Sequence, residues 1–188
     1  RNSFNFRALA WEEIKKYNWY QPISFGNNIY AEGNFNKSTI ASFDFGIERW
    51  NYIISRNLPD IQGMKTLDIG CNSGINSILL ARTGAAKVVG LDSEEYWPYW
   101  KEQASFVKSA LEYRCNIKYN IEFIDGKMQN IPELDLGRFD FVLALCCIYY
   151  INENDMQNLF EHFKQQNATI VLQGNTNKND QKGETAKR

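Results

Sequence analysis

The sequence predicts an α/β fold, a doubly wound and mostly parallel sheet with helices on both faces. Three observations predict it. Between Lys65 and Gln173 short apolar runs alternate with segments whose apolar residues recur at steps of three and four, the signatures of strand and helix in turn. The first of those runs opens directly into a turn bounded by Gly70 and Gly74. The second ends in Asp92, about twenty residues beyond that turn, at the carboxyl end of a strand.

The elements follow in order. Residues 1–41 are rich in aromatics and broken by Pro22, Gly26 and Gly33, and they predict a short helix near Leu9 to Tyr17 followed by irregular or hairpin structure. Residues 42–57 carry a helical pattern with Phe45, Trp50, Ile53 and Ile54 as its apolar positions, and Pro59 and Gly63 close it off. Lys65 to Gly70 is the first strand of the alternating region, and Ile75 to Thr83 is a helix ended by Gly84. Lys87 to Asp92 is the second strand. Ser93 is expected to cap the next helix, whose Trp97, Trp100, Ala104, Val107 and Leu111 line one side. Asn120 to Ile124 and Phe139 to Leu145 are the third and fourth strands, the latter as dense in apolar residues as a strand covered on both faces. Asn152 and Asp155 form a capping pair for a helix with Met156, Leu159, Phe160 and Phe163 inward, and Ala168 to Gln173 is the fifth strand. The expected division is an N-terminal helical and lid segment at 1–63 packed on a core at 64–174, then a polar tail at 175–188. That tail cannot form the last helix and strand such domains carry, so the core is expected to be a fragment or to lack a segment.

Composition narrows the classes. Of 188 residues, 44% are hydrophobic and 23% charged, a globular and not a disordered profile. The net charge of -1 gives no support to binding driven by nucleic-acid phosphates, although a local patch for RNA stays open. Aromatics at 14% fit either dense packing or a site that stacks planar rings. The four cysteines have no metal-ligand spacing and read as buried thiols of a reduced compartment, so no metal is expected. No apolar run approaches a membrane span and no signal peptide opens the chain, so a cytoplasmic protein without membrane contact is expected. The single histidine, His162, lies between Phe160 and Phe163 on the helix after the fourth strand, away from the strand ends, which leaves no histidine for general-base work.

The chemistry concentrates at Asp68-Ile69-Gly70-Cys71-Asn72-Ser73-Gly74. Glycines here let backbone approach a ligand, and the following helix presents free N–H groups. The spacing is G-x-x-x-G with Asp68 two residues ahead, and a carboxylate there would repel the pyrophosphate of a dinucleotide. An NAD-dependent oxidoreductase is therefore disfavoured. The same carboxylate suits a ligand that carries an ammonium and a sulfonium, as S-adenosylmethionine does. Asp92 is placed to accept both ribose hydroxyls, with Ser93 beside it. Asp125-Gly126, after the third strand, would lie at the adenine edge, and reads equally as an ordinary turn. Leu145 to Tyr150 follows the fourth strand at the mouth of the site, where Leu145 would meet the cofactor and Tyr149 or Tyr150 would shape the transfer face.

With these residues in view, the chain resembles the class I S-adenosylmethionine-dependent methyltransferases, whose fold is Rossmann-like. Asp68 to Gly74 is similar to their first motif, Val89-Gly90-Leu91-Asp92 to their second, and Phe139-Asp140-Phe141-Val142 to the motif on strand four. A narrower likeness links Trp19-Tyr20-Gln21-Pro22-Ile23 and Gly33, with Cys147-Ile148-Tyr149-Tyr150, to the methyltransferases that complete 5-oxyacetic or 5-methoxy wobble uridine in tRNA. Tyr150 stands where that family has histidine, and Ile151 to Asn154 replace its basic residues. The resemblance implies direct methyl transfer from the sulfonium, with Asp68, Gly70, Asn72, Gly74, Asp92, Ser93, Asp125, Gly126 and Leu145 around the cofactor. Trp19, Tyr20 and Tyr149 are expected to line the acceptor pocket, Tyr149 as the catalytic group, for an O or N atom of a small-molecule or RNA acceptor such as tRNA. The alternative is a catalytically degenerate subunit that keeps the fold for binding or scaffolding.

Overall fold

The aromatic N-terminal segment packs against the helix at Trp100–Cys115, which covers one face of a parallel sheet. The computed structural model describes residues 9–33 and 45–174. Residues 9–14 form helix α1, and β1 (Ile23–Gly26) pairs antiparallel with β2 (Ile29–Ala31). After α2 (Phe45–Arg49) come β3 (Lys65–Ile69), α3 (Ile75–Arg82), β4 (Lys87–Asp92), α4 (Trp100–Cys115), β5 (Ile121–Asp125), β6 (Phe141–Leu145), α5 (Glu153–Gln165) and β7 (Thr169–Gln173). The last five strands make one parallel sheet in the order β5-β4-β3-β6-β7. Chain order reverses between β3 and β6, and at such a reversal a crevice opens beyond the carboxyl ends of the strands.

Strand side chains alternate between two cores. On one face Val88, Phe141 and Leu143 join Ile78 and Leu80 of α3, Trp100, Ala104 and Val107 of α4, and the N-terminal segment. On the other, Leu67, Ile69, Val89, Val142 and Ala144 meet Leu159 and Phe163 of α5 and Ile131 of a 3₁₀ turn at Met128–Glu133. Asn152 caps α5 as expected, accepting from the Asp155 N–H at 2.9 Å and donating its amide to the Asp155 carboxylate at 2.7 Å.

The structure departs from the sequence reading in several places. The helix after β4 does not begin at Ser93. Residues 93–99 form turns, Tyr99 takes a left-handed φ of 65°, and α4 starts at Trp100. The Glu94 carboxylate accepts the Tyr99 and Lys101 N–H groups at 2.5 and 3.2 Å and caps the helix in place of Ser93. Where one helix was expected over 42–57, α2 widens into a π turn at Trp50–Ile54 and tightens into a 3₁₀ turn at Ser55–Asn57. The wide turn puts Trp50 and Ile54 on one buried face and swings Ile53 out to 51% exposure. Residues 42–44 and the side chain of Phe45 lie outside the described residues, as does the expected tail at 175–188. Cys71 and Cys147 are buried, whereas Cys146 is half-buried and Cys115 exposed.

Trp19 is a core residue, contrary to its expected place in an acceptor pocket. It is 4% exposed, its indole N–H donates to the Ile14 carbonyl at 2.8 Å, and its ring meets Tyr17, Phe25 and Phe106. An indole with its one donor satisfied and its faces covered has nothing left to offer a substrate. Trp19→Ala is expected to cost about 3–5 kcal/mol of stability. Urea unfolding checks this, and an unchanged midpoint would return Trp19 to the pocket.

Candidate cofactor and acceptor site

The turn after β3 is clamped to the end of β4. The N–H groups of Gly70 and Cys71 both donate to the Leu91 carbonyl, at 2.8 and 3.2 Å, and the Asn72 N–H donates to Asp92 Oδ2 at 2.8 Å. Gly70, Asn72 and Gly74 have φ of 69°, 46° and 76°. At Gly74 a Cβ would stand 2.7 Å from Phe123 Cζ, so helix α3 enters too close to β5 for any side chain there. Two side-chain oxygens of this turn, Asn72 Oδ1 and Ser73 Oγ, are buried without a hydrogen-bond partner. Buried polar atoms rarely stay unpaired, so the turn has unused capacity for a polar ligand.

Asp92 receives the Asn72 N–H on Oδ2 and the Ser93 N–H on Oδ1, both at 2.8 Å. Each carboxylate oxygen keeps a further lone pair. Burial foremost raises its pKa, with the two backbone donors opposing and Asp125 and Glu94 adding. Spacing alone assigns Asp92 only a ligand role, and these two backbone donors add a structural one. Ser93 is buried in the turn, its hydroxyl accepting from the Glu95 N–H at 3.3 Å. Asp125 sits opposite Asp92 on β5 and accepts the Glu94 N–H at 2.7 Å, while the Gly126 N–H donates to the Asp92 carbonyl at 2.9 Å. Leu145 is half-buried at the end of β6, paired with Gln173.

Asp68 does not face the crevice as the sequence reading placed it. It is 1% exposed, and its Oδ2 accepts the Ser77 hydroxyl of α3 at 2.6 Å, beneath the turn. Burial pushes its pKa up to about 7, the Ser77 hydrogen bond opposing and the charge of Asp92 adding. Ser77 escaped the sequence reading, and the available signal was a polar residue on the buried face of α3.

Beyond β6 the structure gathers Tyr20, Tyr149, Tyr150, Cys146 and Arg49. Tyr20 is 42% exposed and meets Trp97 edge-on at 5.9 Å. Its phenol is pushed up by burial first, and then by Tyr150 and Cys146, with Arg49 opposing. Tyr149 is half-buried in a 3₁₀ turn at Ile148–Tyr150 and packs on Tyr150 at 4.7 Å, while Tyr150 itself is 68% exposed. Beside Trp97 lies a cavity of about 400 Å³ lined by Tyr17, Asn18, Tyr96, Tyr99 and Gln103 among others. His162 lies on α5 and shares a hydrogen bond with Gln166 at 2.8 Å, inside its own helix end. Among the described residues no cluster of His, Cys, Asp and Glu is placed to hold a metal ion, and no helix is long and apolar enough to cross a membrane.

A family model described as a methyltransferase domain matches residues 66–166, from β3 through the end of α5. The chain belongs to this family, within the class I S-adenosylmethionine-dependent methyltransferases. The chain is 31% identical over 133 residues to a sterol 24-C-methyltransferase of Gibberella zeae, covering 71% of this chain and 30% of that protein. It is also 31% identical over 98 residues to a tRNA U34 carboxymethyltransferase of Psychromonas ingrahamii, covering 50% of this chain and 27% of that one. The chain thus spans about a third of the length of these relatives. Among solved structures, the N-terminal domain of EvdMO1 with S-adenosylhomocysteine bound shares the fold at a TM-score of 0.60 and 21% identity, over 92% of this chain and 65% of that one. A Pyrococcus horikoshii protein, PH0226, does so at 0.53 and 20%, over 71% and 58%. The fold, the superfamily and its cofactor, S-adenosylmethionine, agree with the sequence reading, and each relative named here as an enzyme is a methyltransferase.

The buried Asp68 has a consequence for stability. With a folded pKa near 7 against an ordinary value of 3.8, the folded state holds a proton that the unfolded state has released. Stability therefore falls as pH rises from about 4 to about 7. Asp68→Asn keeps an acceptor for Ser77 and removes this loss. In cofactor-free protein the variant is expected to gain on the order of 2–4 kcal/mol over wild type between pH 4 and pH 8. Chemical unfolding at both pH values checks it, and a pH-independent difference would dismiss the burial account.

Proposed function

We propose that this chain transfers the methyl group of S-adenosylmethionine to an O or N atom of a small-molecule acceptor. The observation that carries this reading is the Asn72–Asp92 clamp, with unused lone pairs on Asp92 and two unpaired buried oxygens on the turn beside it. When bound, the cofactor supplies an electrophilic methyl on a sulfonium, so that the acceptor–carbon bond forms as the sulfur–carbon bond breaks and the acceptor's proton is released.

The chain's own residues would do the rest. The outward lone pairs of Asp92 accept the ribose hydroxyls, and Gly70, Asn72 and Gly74 hold the methionine portion against the backbone. Ser93, Asp125 and Gly126 border the adenine, and Leu145 covers the apolar side. Asp68 acts through the turn it supports, and the positive groups of the cofactor would favour its ionised form. On the acceptor side, Tyr20 closes over the crevice from Trp97, excluding water and holding the acceptor in line, and the Tyr149 hydroxyl orients the nucleophile. Without a histidine at the strand ends, catalysis rests on alignment and on an acceptor that is already nucleophilic.

A small acceptor is favoured over RNA for two reasons. The mouth of the crevice carries Glu94 and Asp125, and the chain's net charge is -1, neither of which suits a polyanion. Tyr150 and Ile151 to Asn154 also stand in place of the histidine and basic residues of the tRNA enzymes. The EvdMO1 domain, which shares the fold, was crystallised in the presence of S-adenosylhomocysteine and D-fucose, a small polar molecule.

Calorimetry is expected to show S-adenosylhomocysteine binding and no NAD binding. Asp92→Ala should weaken the former about tenfold or more, since a charge-assisted hydrogen bond contributes roughly 1.5–3 kcal/mol. The same variant should also melt lower, because two backbone N–H groups lose their acceptor. Micromolar NAD binding without a response to S-adenosylhomocysteine would overturn the cofactor, and unchanged affinity in the variant would remove Asp92 from the ribose role. In an acceptor screen, turnover confined to tRNA would overturn the small-molecule reading.

A further inference from the structure

Arg49 is the last residue of α2, and its side chain reaches the carboxyl ends of β6 and β7. Nη2 donates to the Cys146 thiol at 3.3 Å and to the Gln173 side-chain carbonyl. Cys146 follows β6, whose end is paired with Gln173 on β7. Both partners are neutral. No described carboxylate lies within ion-pair distance of Arg49, although Lys87, Lys108, Lys118 and Lys127 each have one. Among the described residues Nε and Nη1 have no acceptor at all. Among the described residues this half-buried guanidinium, held by a thiol and an amide, has an uncompensated charge and an unfilled planar fork, the geometry that receives a carboxylate through two parallel hydrogen bonds.

Its position gives that fork a use. Tyr20, the tyrosine over the crevice, lies within electrostatic reach of Arg49, together with Tyr150 and Cys146. These neighbours add no second positive charge, and the acids Glu94 and Asp125 stand on the β4–β5 side of the crevice. The site therefore balances one negative charge, not a run of phosphates.

We propose that Arg49 is a specificity residue that clamps a carboxylate on the methyl acceptor, so that the substrates are small hydroxy or amino acids. This rests on the methyl-transfer reading above and narrows it. The acid group docks between Arg49 and Tyr20 beyond β6, leaving the nucleophilic atom free to face the cofactor side of the crevice.

The test begins with S-adenosylhomocysteine binding, whose failure sinks methyl transfer itself and is read separately. With binding in hand, wild type and Arg49→Gln are assayed for S-adenosylhomocysteine release on paired acceptors, each a hydroxy- or aminocarboxylic acid beside its primary amide, with phosphorylated analogues and tRNA as further arms. The expected result is turnover of acids over amides in wild type, and a loss of about tenfold or more in kcat/KM for the acids in the variant, carried mainly by KM, with the amides little changed. Equal losses on acids and amides would mean that Arg49 only braces β6 against β7, and would overturn the proposal. Preference for amides, for phosphorylated analogues or for tRNA would overturn it too. If no acceptor in the panel turns over, the protein saturated with S-adenosylhomocysteine is titrated with benzoate and benzamide. Stabilisation by benzoate alone, abolished in Arg49→Gln, supports the clamp, and no preference for benzoate overturns it.

Discussion

Three consecutive N–H groups of the turn after β3 are held by the end of β4, two by the Leu91 carbonyl and one by the Asp92 carboxylate. The rest of the site depends on this attachment. It fixes the left-handed backbone at Gly70 and Asn72, aims the start of α3, and draws β3 and β4 level so that Asp92 and the turn face one crevice. A loop held only by its own residues would sample many shapes, and ordering it at binding would cost roughly 1–2 kcal/mol per residue. Here folding has already met that cost.

The same attachment explains why an acid is tolerated under the turn. Asp68 lies on the central strand with β4 and β6 on its two sides and α3 above, and its carboxylate accepts the Ser77 hydroxyl. Cys71 and Cys147 are buried nearby, and burial raises both thiols as well, so this layer resists negative charge throughout. A dry layer of that kind disfavours charge of either sign, so Asp68 ionises fully only when a neighbour brings a positive charge. Asp68 thus contributes a bias toward cations without exposing its side chain to the ligand.

Much of the fold was legible because strands covered on both faces read as unbroken apolar runs, as at Phe141–Leu145, and because the Asn152–Asp155 cap is local. The start of α4 was not legible. Its apolar spacing runs back through Trp97 into a turn, and only the carboxylate of Glu94, folded onto Tyr99 and Lys101, shows where the helix begins. Positions at strand ends were legible from spacing, as Asp92 opposite Asp125 illustrates. Side-chain direction was not. The sequence could not tell that Asp68 turns inward, that Trp19 fills the core while Tyr20 stays at the surface, or that Arg49 reaches Cys146 and Gln173 across 97 and 124 residues.

The family model begins at residue 66, on β3, and ends at residue 166, whereas Tyr20 and Arg49 belong to segments that precede it. The family match therefore rests on the sheet and its helices, and neither Tyr20 nor Arg49 takes part in it. Under the proposed acceptor role of Tyr20 and Arg49, changes before β3 would retune which molecule is admitted while the strand ends stay as they are. Likeness measured over the sheet consequently carries little information about the acceptor, and relatives named for sterols and for tRNA can each be 31% identical to this chain without contradiction.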